Sequence, residues 1–116
     1  MSQEIRDSDY LAHIQQAIVK IQRYTQGKQE TDFFLDELIQ DGVIRNLEIV
    51  GEAVTKLSPE LKDRYSHVPW AEISGMRNRL IHGYMSVNMA IVWDTVAQLV
   101  PDLTIKISAI QREMRK

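Results

Sequence analysis

Apolar residues return at intervals of three and four along almost the whole chain, and this spacing predicts helices. Valine, isoleucine and threonine never alternate with polar residues for long enough to predict a strand. A first helix, capped by Asp7 or Ser8, carries Leu11, Ile14, Ala17, Ile18 and Ile21 as far as Tyr24, and Gln26 to Glu30 reads as a polar loop. Thr31 caps a short turn through Phe34. From Leu35 a long second helix places Leu38, Val43, Leu47, Val50, Val54 and Leu57 on its apolar face. Gly42 and Gly51 weaken that helix and point to a tight crossing with another helix, where close packing offsets their cost of about 1 kcal/mol each.

Ser58 and Pro59 form a cap and a first-turn proline, so a short helical piece runs to Arg64 before a turn at His67, Val68 and Pro69. The next helix begins near Pro69 or Trp70, with the stripe Trp70, Ile73, Met76 and Leu80. Gly83 is its expected C-terminal cap. Ser86 or Asn88 opens a further helix with Ile91, Val92, Val96 and Leu99. Pro101 then marks a kink or a fresh helix carrying Leu103, Ile105, Ile107 and Ile110, and a polar tail follows from Gln111 to Lys116. Short connections make sequential helices neighbours, so the expected architecture is all-α, an antiparallel four-helix bundle with a short additional helix, in one domain over residues 1–116.

Composition narrows the chemistry. With 116 residues and 44% hydrophobic content the chain can supply one core, and with no cysteine it has neither a disulfide frame nor a thiolate. No apolar run approaches the roughly 18 residues of a spanning helix, and a cytoplasmic location is expected. His13 and His67 have no partners at metal-ligand spacing, so no metal or cofactor is expected. A net charge of −2 argues against a generally basic nucleic-acid surface, and any such contact must be local. Arg45, Lys56, Arg64, Arg77 and Arg79 are the cations that a small positive cleft would draw on.

The segment Arg77, Asn78, Arg79, Leu80, Ile81, His82, Gly83, Tyr84 holds the richest chemistry of the chain. Arginine stays charged at any working pH and can bind two phosphate oxygens, while histidine exchanges a proton near neutrality. Together they suit phosphodiester cleavage. Asn78 lies one turn before His82, where its amide can orient the imidazole. Arg77 and His82 lie about 140° apart around an ideal helix, so one helix does not easily aim both at one phosphate. Two copies packed motif to motif about a two-fold axis do so more readily. For Arg79 the plainer reading is preferred, solvation or pairing with Glu72. Glu52 is expected to be a buried carboxylate paired with Arg45 or a motif arginine, and Trp70 and Trp93 are expected in the core or a dimer contact.

Arg77, four residues, His82, one residue and Tyr84 together resemble the signature of the HEPN superfamily in its HepT-like toxin branch. The run from Val43 to Ala53, with Arg45, Asn46, Glu48, Gly51 and Glu52, resembles the same branch, as does Val68, Pro69, Trp70 leading into the motif helix. The resemblance covers roughly Phe33 to Leu103. It implies a metal-independent endoribonuclease without cofactor, a homodimer that acts on RNA as the toxin of a toxin–antitoxin pair. It further implies Arg77 and His82 as catalytic residues and Tyr84 as the position where an MntA-like minimal nucleotidyltransferase antitoxin attaches AMP. The alternative is a non-catalytic helical partner that binds or regulates such a nucleotidyltransferase.

Overall fold

The computed structural model of the chain describes residues 2–82 and 87–115, and for residues 4, 5, 77 and 79–82 the backbone alone. Every regular element among them is helical: α1 (Gln3–Thr25), α2 (Glu30–Phe34), α3 (Glu37–Lys56), α4 (Pro59–Arg64), α5 (Trp70–His82), α6 (Met89–Asp94) and α7 (Val100–Met114). A π-helical turn (Thr95–Leu99) joins α6 to α7 without a break, so α1, α3, α5 and the α6–α7 rod are the four long members of the bundle. The all-α bundle expected from the periodicity is the fold observed; two short helices accompany it, α2 and α4.

Caps explain where most elements begin. Asp36 Oδ1 accepts from Ile39 N at 3.1 Å to start α3, and Ser58 Oγ accepts from Leu61 N at 3.2 Å to start α4 ahead of Pro59. Asn88 Oδ1 accepts from Ala90 N at 2.9 Å and starts α6, which decides between the two caps proposed there. For α2 the cap position is Gln29 rather than Thr31, with the Gln29 N–H donating to Asp32 Oδ2 at 2.8 Å. Pro101 falls in the first turn of α7, where its missing N–H removes a bond from the helix. The π turn lies directly before it, and Val100 N–H reaches back to the Thr95 carbonyl.

The start of α1 departs from expectation. Asp7 and Ser8 do not cap it, because the helix already runs from Gln3. Asp7 is instead buried, and its carboxylate accepts from Ser58 N at 2.9 Å and from Ser58 Oγ at 2.6 Å, tying α1 to the α3–α4 junction. Such a partner, 51 residues away, leaves no local trace in sequence.

Leu11, Ile14, Ile18 and Ile21 of α1 pack with Val43, Leu47, Val50 and Val54 of α3, and α5 lies against the other flank of α3. A Cβ added to Gly42 would stand 3.1 Å from the Tyr24 ring, so the close crossing expected at this glycine is present. Gly51 is buried. Between α1 and α7, Gln15 Nε2 donates to Ser108 Oγ at 2.7 Å while Thr104 Oγ1 donates to Gln15 Oε1 at 2.8 Å, a polar clamp that fixes the register of the two helices. Leu38, Ile91 and Ile105, placed on apolar stripes by periodicity, are exposed. They lie at phases of the helix that no described neighbour covers.

Candidate active site

Trp70 anchors the start of α5. Its ring is buried, its indole N–H donates to the Tyr65 carbonyl at 3.1 Å, and its backbone N–H donates to Val68 O at 2.8 Å. Ile73 and Met76 bury the next turns in the cluster formed with α3. This is the apolar stripe expected for the motif helix; Leu80, its fourth member, has its side chain outside the described residues. Trp93 is also packed rather than open, with its ring 5.4 Å from that of Phe33.

The helix continues without interruption through Arg77, Asn78 and His82. Their Cα atoms therefore keep regular helical spacing, and Arg77 and His82 remain about 140° apart around the axis. Asn78 is exposed, so its amide is not committed to the core. The side chains of Arg77, Arg79 and His82, and the whole of Gly83 and Tyr84, lie outside the described residues.

The cations that a small positive cleft would draw on do not all line one groove. Arg45 and Lys56 line a groove of about 440 Å³ between α1 and α3, together with Tyr10 and His13. Arg64 lines a different, larger groove bounded by α1, α4 and the end of α7, and its guanidinium stands 5.9 Å from the Tyr65 ring centre. Within the first groove each cation has an acidic neighbour: Arg45 lies 3.9 Å from Glu48, and Lys56 lies 4.0 Å from Glu52. Glu52 is consequently not the buried carboxylate expected from its apolar neighbours, since its side chain is 47% exposed. Among the described residues, no three His, Asp or Glu side chains converge as a metal-binding group would.

Two buried polar groups were not evident from the sequence. Asn46 interrupts the apolar face of α3; its Nδ2 donates to Gly42 O at 2.8 Å, and its Oδ1 has no hydrogen-bond partner among the described residues. The one available signal is its position between Val43 and Val50 on the stripe. Tyr65, past the end of α4, is buried, and burial raises its phenol pKa above 10.0, with the negative charge of Glu113 adding to the effect and Arg64 opposing it.

The comparisons with known proteins bear on this helix and its surroundings. The profile described as "Ribonuclease HepT-like" matches residues 14–110, which takes in the core of α1, all of α2 to α6 and most of α7. The chain belongs to the HepT-like ribonuclease family. It is 40% identical over 101 residues to a protein named "Putative RNase" from Caldanaerobacter subterraneus subsp. tengcongensis, covering 87% of this chain and 90% of that one. To "Probable ribonuclease HepT" of Thermococcus cleftensis it is 36% identical over 104 residues, with 90% and 94% covered. A "Gamma-glutamylcyclotransferase and putative RNase" of Methanocaldococcus jannaschii is 41% identical over 107 residues, 92% of this chain; the chain spans only 48% of that relative's length. No solved structure matches the chain.

Proposed function

We propose that the chain is a metal-independent endoribonuclease toxin, with Arg77 and His82 as catalytic residues in a site shared by the two copies of a homodimer. The observation that carries this reading is the unbroken helix α5, whose backbone runs through Arg77, Asn78 and His82 in a chain of a ribonuclease family. RNA brings its own nucleophile. His82 takes the proton of the ribose 2′-hydroxyl, the O2′–P bond forms, the P–O5′ bond breaks, and a proton is returned to the leaving 5′-oxygen. A placed acid or base contributes about 10² to 10⁴-fold, and Arg77 stabilises the charge that builds on the phosphate oxygens. The products carry a 2′,3′-cyclic phosphate and a free 5′-hydroxyl.

Asn78 orients the imidazole across one helical turn. Silencing falls to an MntA-like minimal nucleotidyltransferase that transfers AMP from ATP to the Tyr84 hydroxyl and releases pyrophosphate. The added negative charge beside a phosphate-binding cleft, and the bulk of the adenylate, exclude RNA.

The test is cleavage of RNA by the purified chain in excess chelator, beside His82→Ala. Cleavage by the unsubstituted chain to cyclic-phosphate ends, lowered at least about 100-fold by the substitution, is the expected result. Equal cleavage by the two, or none by either, removes the catalytic assignment and leaves a helical binding partner of the nucleotidyltransferase as the better reading.

A further inference from the structure

Four of the exposed large apolar side chains among the described residues lie on three neighbouring elements, α2, α3 and α6, or at the junction of the first two. Phe34 (43% exposed), Leu35 (87%), Leu38 (82%) and Ile91 (52%) are open to solvent there. They belong to α2, its junction with α3, the first turn of α3, and α6, segments that contact one another and are pinned beneath by the packing of Phe33 on Trp93. Single exposed leucines are ordinary, but four large apolar side chains grouped on touching elements mark an interaction surface.

Charge identifies what the surface accepts. The segments around these residues carry six acids, Glu30, Asp32, Asp36, Glu37, Asp41 and Asp94, against the single base Lys28. The remainder of the chain holds thirteen bases and ten acids. An RNA backbone or an anionic membrane is repelled by such a face. A second copy seated here about a two-fold axis would set the same acids against each other.

We infer that the acidic, apolar face of α2, early α3 and α6 docks a protein whose matching surface is apolar with a basic rim, and that this protein is the nucleotidyltransferase. The identity of the partner rests on the function proposed above; the face and its chemistry do not. Its place along the chain suits the role, because α6 begins at Met89, a few residues after Tyr84 and after the end of α5 at His82. An enzyme held on α6 is therefore held close in sequence to the hydroxyl it modifies. Basic residues on the partner steer and orient the encounter, while Leu35 and Leu38 fill its apolar centre.

The experiment measures binding of the purified chain to a purified MntA-like minimal nucleotidyltransferase, by titration calorimetry, for the unsubstituted chain and two double variants. The variants are Leu35→Ser with Leu38→Ser, and Asp41→Lys with Asp94→Lys, all at exposed positions whose side chains make no cap hydrogen bond. Each pair is expected to weaken Kd at least about tenfold while sedimentation and metal-free RNA cleavage stay unchanged. The charge-reversed pair should also show a shallower dependence of Kd on salt. Unchanged affinity in both variants overturns the inference alone. Conversion of a dimer to a monomer by the serine pair overturns it in favour of a second copy on this face. Absence of binding by the unsubstituted chain overturns the partner reading, and this inference with it.

Discussion

Among individual residues, the buried ones make the sharpest stability statements. Asp7 accepts two hydrogen bonds from Ser58 in a buried setting, so Asp7→Ala leaves both Ser58 donors without that acceptor. A loss of about 2–3 kcal/mol in unfolding free energy, read from urea midpoints, is expected. A change below about 0.5 kcal/mol would show that water replaces the carboxylate. Tyr65 gives a pH dependence whose sign is fixed. With its pKa raised in the folded protein, neither state ionises it well below pH 10.0; above that value the unfolded chain loses the proton first. Its contribution is thus complete below the unfolded pKa and lost as pH climbs through the folded one. Tyr65→Phe should flatten the alkaline decline in thermal stability relative to the unsubstituted chain. An unaltered alkaline slope would contradict the burial of an un-ionised phenol.

At the scale of elements, the crossing of α1 over α3 depends on having no side chain at Gly42. A Cβ alone approaches the Tyr24 ring to 3.1 Å, and a branched side chain must displace the ring or part the helices. Gly42→Val is expected to destabilise by about 1–3 kcal/mol in chemical denaturation, and a stabilised variant would show that the crossing is loose. The same helices show what could be read from sequence. Long periodic stripes fixed the existence of α1, α3, α5 and α7, because a 3.6-residue period and burial on one side are the same fact seen twice. Caps placed α4 and α6 through Ser58 and Asn88. The failures were of another kind. Asp7 was misjudged because its partner Ser58 lies 51 residues away, whereas Glu52, Asn46, Leu38 and Ile105 were misjudged or missed because periodicity does not say how wide a face the neighbouring helices cover.

For the whole molecule, the bundle carries the motif on a helix whose first half is locked into the core by Trp70, Ile73 and Met76 and whose second half runs through Arg77, Asn78 and His82. The motif and its helix were legible before any fold was known, because both lie in one contiguous run; the pairing of two copies about a two-fold axis is a proposal drawn from the angle between Arg77 and His82 around that helix. The cations that a small positive cleft would draw on divide, with Arg64 on a groove apart from that of Arg45 and Lys56. The most direct measurement of a shared site is cleavage by a mixture of two variants, Arg77→Ala and His82→Ala, each inactive alone and allowed to exchange subunits. If each site takes its arginine from one copy and its histidine from the other, half of the dimers are mixed and one of their two sites is intact, so activity should return to about a quarter of the unsubstituted level. A mixture as inactive as its components, with mixed dimers demonstrated by mass, would contradict the account.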